Sequence, residues 1–182
     1  MEVSMKRLIP LFTFLLMLHM SISAAALAEE KKNSEAITVS IVNTMGEAIG
    51  KAILTEQAGK VSIHVEAEKL SPGVHGIHIH ETGLCEPPKF TTAGAHFNPM
   101  KKEHGFDNPK GFHLGDLPNI TVEADGKVVA DITSAVITLQ PGKPNSIIKQ
   151  GGTSLIIHAG ADDYKTDPSG NSGDRIACGV IQ

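Results

Sequence analysis

Gly76-Ile77-His78-Ile79-His80-Glu81 alternates aliphatic and imidazole side chains residue by residue. In an extended strand, positions i and i+2 share a face. His78 and His80 therefore point one way, while Ile77 and Ile79 point into a core. The same period of two runs through Ile37-Thr-Val-Ser-Ile41 and Val61-Ser-Ile-His-Val65, with Ala48–Leu54 between them. Asp125-Gly126 reads as a hairpin turn between strands at Ile120–Val122 and Val128–Ile132. Ser154–His158 and Ile176–Ile181 complete the set. Counting Val74–His80, that is about eight strands by this periodicity. The segments 82–118 and 159–174 carry neither period and are rich in Gly, Pro, Asp and Asn; irregular segments that long are usually functional. The pattern predicts an all-β chain, a single antiparallel sandwich or barrel with two long loops.

Composition agrees. The 182 residues include no Trp, one Tyr and six Phe, so the core must be built from Val, Ile, Leu and Ala. Eighteen Gly and ten Pro favour short strands over long helices. Sixteen Lys+Arg against twenty Asp+Glu give a net charge of −4, which does not suit nucleic acid as a partner. At the N-terminus, Lys6 and Arg7 precede an apolar run from Leu8 to Met20, then small residues to Ala26-Leu27-Ala28. That order predicts a signal peptide over 1–28, a loose polar tail over 29–36, and a folded domain over 37–182. The protein is expected to be exported, with no membrane contact unless the N-terminal segment stays uncleaved. Export gives Cys85 and Cys178, the only cysteines, an expected disulfide.

The histidines carry the chemistry. Six of the nine fall between His75 and His113, and His158 ends an apolar strand. His78 and His80 on one strand face are two ligands of a transition metal. His96, His104, His113 and Asp116 crowd the following loop, and together the set exceeds one metal's needs. Imidazole suits copper and zinc, and a carboxylate in the set suits zinc better, so two sites are inferred. His64 alternates outward and reads as a surface residue. Asn119-Ile-Thr121 is a three-residue glycosylation sequon, a weak signal.

Gly76-Ile-His-Ile-His-Glu81, Ala93-Gly-Ala-His-Phe-Asn-Pro99, Gly111-Phe-His-Leu-Gly-Asp-Leu-Pro118 and Asp174-Arg-Ile-Ala-Cys-Gly-Val-Ile181 together resemble the signatures of the Cu/Zn superoxide dismutases, in their bacterial exported form. The resemblance runs from about Ile37 to Ile181. It implies an eight-stranded Greek-key barrel or flattened sandwich, one copper and one zinc ion per chain, and superoxide as substrate. Carried over by position, it assigns copper to His78, His80, His96 and His158, and zinc to His96, His104, His113 and Asp116. His96 would bridge the metals. Asp162 would link a copper histidine to a zinc histidine, and His75 would be a buried support. Cys85 and Cys178 would match the family disulfide, and Arg175 the arginine at the copper mouth. For Arg175 an ion pair with Asp174 or Asp162 is the competing expectation. The 161–169 segment is short, which leaves Lys165 as the other candidate charge for guiding the substrate. The chain ends at Val180-Ile-Gln182 without the extension that pairs eukaryotic subunits, and Phe90 is the only aromatic near Cys85, so a monomer is favoured over a homodimer. Two other classes compete: an exported copper or zinc buffer without turnover, and a cupin-type single-metal enzyme. The buffer would need neither a bridging His96 nor Arg175. The cupin reading leaves the second ligand set unexplained.

Overall fold

In the computed structural model, Met1 and residues 35–182 are described; the expected signal segment and most of the polar tail lie outside them. Nine strands are present: β1 Ile37–Asn43, β2 Ala48–Gln57, β3 Lys60–Ala67, β4 Gly73–His75, β5 Ile77–His80, β6 Ile120–Val122, β7 Val128–Ser134, β8 Thr153–His158 and β9 Arg175–Ile181. Seven form one antiparallel sheet in the order β5-β8-β9-β1-β2-β3-β7, and β4 pairs with β6. The all-β expectation holds, and the only helical element among the described residues is one 3-10 turn at Thr91–Ala93.

Alternation decides which side of each strand is buried. In β3, Val61, Ile63, Val65 and Ala67 are buried, while Lys60 and Ser62 face water. They join Ile41, Leu54, Ile79 and Leu155 in one aliphatic core. Each such side chain, fully buried, contributes about 1.5–3 kcal/mol. β5 and β8 are buried at every position. One face of this pair meets the core, and the other carries the site beneath the long loops. Ile156 and Cys178 meet Phe90 and Ala93 in a second, smaller cluster there.

Two expectations need correction. Val74–His80 is not one strand. It breaks at Gly76, whose N–H donates to Gly160 O (2.8 Å) and whose carbonyl accepts from His158 N (2.8 Å). A Cβ at Gly76 would stand 3.0 Å from Ser172 Cβ and 3.2 Å from His78 Cε1, so a larger residue there would have to push these side chains aside. The Asp125-Gly126 turn exists, closed by Glu123 N to Lys127 O (2.8 Å), but its flanking strands do not form a ladder. β6 pairs with β4, and β7 with β3.

Candidate metal centre

β5 has β8 on one side only, and an edge strand offers unpaired backbone groups. The 82–118 loop fills that edge. Ile79 N donates to Gly115 O (2.8 Å), Phe97 N to Ile79 O (2.8 Å), and Glu81 N to Ala95 O (2.9 Å). Bridges then set His96 opposite His80 and Asp116 opposite His78. The ladder that hides the strand edge thus brings residues far apart in sequence around the two β5 histidines. His158, at the end of β8, completes the group.

Among the described residues, three sets could hold a metal: His78, His80, His96 and His158; His96, His104, His113 and Asp116; and His78, His104 and Asp162. All are buried. In the first set, one ring nitrogen of each histidine is held by the protein. His78 Nε2 meets Asp162 Oδ2 (2.8 Å), His80 Nδ1 meets Gly94 O (3.0 Å), and His158 Nδ1 meets Gly173 O (3.1 Å). His96 Nδ1 meets Asp116 Oδ1 (3.0 Å). The other nitrogens, His78 Nδ1 and Nε2 of His80, His96 and His158, are buried with no partner. Orphaned buried polar atoms are costly. Four that belong to one ligand-sized cluster fit an imidazole-bound transition metal such as copper.

The second set has the dimensions of a tetrahedron. A zinc ion with donors at about 2.0–2.1 Å has donor–donor edges of about 3.3–3.4 Å. Asp116 Oδ1 lies 3.0, 3.1 and 3.3 Å from Nδ1 of His96, His104 and His113, and His96 Nδ1 lies 3.4 Å from His113 Nδ1. The second oxygen of Asp116 is taken by Gly105 N (2.9 Å) and His113 N (3.0 Å), which aims Oδ1 into the cluster. His96 belongs to both sets through different nitrogens. The third set is a support: Asp162 spans His78 Nε2 and His104 Nε2 (3.0 and 3.1 Å from its two oxygens). Gly170, at φ 63°, packs so close to the Asp162 carboxylate and His104 Nε2 that a Cβ has no room.

Electrostatics separates the two sets. Burial lowers His96 to about 4, helped by neighbouring His78, and His158 to about 3, helped by His78, His96 and Arg175. Burial also holds His80 well below its ordinary value. These imidazoles are neutral at working pH, with lone pairs ready for a metal. Desolvation opposes a charge on His104 as well, but Asp116 and Asp162 overcome it and raise that ring to about 9. Asp116 resists its own desolvation because three imidazoles surround it, and stays ionised far below the usual carboxylate range.

Every ligand read from the sequence lies in one of the two clusters. His75 is buried, with Nδ1 on His158 O (2.7 Å) and Nε2 on Ser71 O (2.8 Å), a brace for the last residue of the first set. Cys85 and Cys178 are disulfide-bonded, with Cα atoms 5.7 Å apart. The competing expectation for Arg175, an ion pair with Asp174 or Asp162, is not met among the described residues. NH1 donates to Phe90 O and NH2 to Gly94 O, both at 2.7 Å. Backbone carbonyls leave no sequence signal, so Phe90 O, Gly94 O and Gly173 O were not foreseen. The Lys165 carbonyl accepts from Asn108 Nδ2 (3.3 Å). Phe90 is fully buried. His64 is partly exposed, between Asp131 (2.7 Å) and Glu66 (3.1 Å). The sequon asparagine, Asn119, has both side-chain polar atoms engaged with Asp162.

Residues 48–181 match the family model of copper/zinc superoxide dismutase (SODC). A "Superoxide dismutase [Cu-Zn] 1" of Aquifex aeolicus is 52% identical over 143 residues, 78% of this chain and 85% of that protein. The crystal structure of a SOD-like protein from Bacillus subtilis superposes with a TM-score of 0.77 at 46% identity, covering 80% of this chain and 97% of that one. Cu/Zn superoxide dismutase from Brucella abortus gives a TM-score of 0.66 at 34% identity, covering 81% and 100%.

Proposed function

The chain belongs to the copper/zinc superoxide dismutase family, and from that premise we propose how its own residues share the work of converting two superoxide anions and two protons into dioxygen and hydrogen peroxide. His78, His80, His96 and His158 would hold one copper ion, and His96, His104, His113 and Asp116 would hold one zinc ion. The observation that carries this assignment is the set of four orphaned imidazole nitrogens, one of them on a histidine whose other nitrogen belongs to the second set. When bound, copper supplies a one-electron redox couple, and zinc supplies a fixed charge without redox chemistry.

The protein's residues do the rest. Carbonyls and Asp162 fix which nitrogen each copper histidine presents, so the rings need not reorient during turnover. His96 Nε2, when it is not a metal ligand, can carry one of the two protons that peroxide needs, while Asp116 holds the ring through Nδ1. Arg175 is half-buried and stays charged at any working pH. Two of its N–H groups grip Phe90 O and Gly94 O, and the remainder of the fork is free to draw in a small anion. Steering of a charged substrate by a focused field is general, and superoxide dismutase is itself one of its standard examples.

We assign the protein to an oxidising compartment outside the cytosol, on the strength of its disulfide and the 1–28 pattern, and to a monomeric state. N-terminal sequencing of the mature protein should begin at Glu29. Metal content by mass spectrometry, with a dismutase assay on the same sample, tests the central reading. One copper and one zinc per chain with turnover is the expected result. Both metals without turnover would return the chain to the buffer class.

A further inference from the structure

Asp162 sits in the 159–174 segment, which contains no strand or helix. Its carboxylate must nevertheless lie between two buried rings, 2.8 Å from His78 Nε2 and 3.0–3.1 Å from His104 Nε2. Something outside the segment has to place it. Asn119 immediately precedes β6, which is paired to β4, and so is tied to the strand framework outside that segment. Its Oδ1 accepts from Asp162 N (2.9 Å), and its Nδ2 donates to Asp162 O (2.9 Å). One carboxamide thus satisfies both backbone polar groups of one residue, as a neighbouring strand would. The pairing also fixes the amide's orientation, since a flipped amide would set N–H against N–H and oxygen against oxygen. A third bond runs from Asn119 N to Tyr164 Oη (2.7 Å), two residues further along the same segment, and Tyr164 N returns to Asp162 Oδ1 (2.7 Å).

We infer that Asn119 is a positioning residue for the metal pair: it registers Asp162 against the barrel, and through Asp162 it fixes which nitrogen His78 turns to copper and His104 turns to zinc. The inference rests on the ligand assignment above. Asn119 touches neither metal set; its side chain acts through the Asp162 backbone. No other side chain does this at the same length. Aspartate lacks the donor, glutamine overreaches, and serine cannot span both groups.

A double-mutant cycle tests it. Zinc affinity is read by competition with a chromophoric chelator in wild type, Asn119→Ala, Asp162→Ala and the double variant. Asn119→Ala should weaken zinc binding by about tenfold, the usual lower range for removing a group behind a metal ligand. In the Asp162→Ala background the same change should add less than about twofold. Asn119→Asp, which keeps the size and loses the donor, should move affinity in the same direction and so controls for a packing defect. A second readout needs no activity. In copper(I)- and zinc-loaded protein, the His78 and His104 Nε2–H protons should exchange with water faster in Asn119→Ala than in wild type. Unchanged exchange and affinity in Asn119→Ala, with Asp162→Ala impaired, overturns the role of Asn119 alone. Equal losses in both backgrounds also overturn it, since Asn119 would then act independently of Asp162. An Asp162→Ala variant that binds zinc like wild type would overturn the ligand assignment, and the inference with it.

Discussion

Arg175 is tied into the structure, and the proposed function gives the same side chain a part in drawing in the substrate. Its two bonds to Phe90 O and Gly94 O fix the guanidinium, and Gly94 O also receives His80 Nδ1, so the cation and a copper ligand share an anchor. His80 keeps that carbonyl when the arginine is removed. Arg175→Ala should therefore lower the second-order rate with superoxide by about tenfold or more while both metals stay in place. Arg175→Lys should fall between, because a point charge attracts an anion without the fork. Added salt should slow the wild type more than the alanine variant. Pulse radiolysis at two ionic strengths, with metal content measured on the same samples, checks this; parallel salt slopes would count against it. The two ligand sets separate in the same way. His113→Ala should lose zinc and keep copper, whereas His158→Ala should lose copper first. Equal zinc loss with copper retained in both would undo the assignment.

At the level of elements, legibility followed side-chain chemistry. β2 and β3 were readable because alternation reports one wet face and one dry face. The β4–β5 break was not, since nothing in the Val74–His80 pattern shows that Gly76 is where two sheets meet. The partners of β6 and β7 were misread because a turn signal fixes a local bend and not the ladder beyond it. The ligands were legible as residue types in order, but the carbonyls that orient them were not. The segment from Gly83 to Gly94 follows the same logic. It has little regular structure, and β9 holds it twice, by the disulfide at Cys178 and by the guanidinium at Arg175. The bond links residues 93 positions apart, worth about 4–5 kcal/mol in the chain-entropy model. Reduction should lower the thermal midpoint and speed amide exchange at Phe90, Ala93 and Gly94, with β1–β3 little changed. Exchange that rises uniformly along the barrel would show that the bond braces the whole fold instead.

At the scale of the whole molecule, the metal sites make the metal-free protein a pH-sensitive structure. His96 and His158 titrate at about 4 and about 3 when folded, because burial opposes their charge, and at about 6.5 when unfolded. As pH falls from 6.5, the unfolded chain takes up protons that the folded one refuses, so stability is lost across that window. His104 works in the opposite sense. Its folded value is about 9, because Asp116 and Asp162 outweigh desolvation. Between about 6.5 and 9 the folded protein keeps a proton that the unfolded chain releases, so stability falls as pH rises. Each proton of difference contributes a slope of about 1.4 kcal/mol per pH unit. Metal-free protein should therefore be most stable near pH 6.5, with stability declining on both sides in urea denaturation. Zinc at His104 Nδ1 takes the place of that proton, so the alkaline decline should vanish in the zinc-loaded protein while an acid decline persists. A metal-free protein whose stability kept rising from pH 6.5 to 9 would mean that the two carboxylates do not hold the charge on His104.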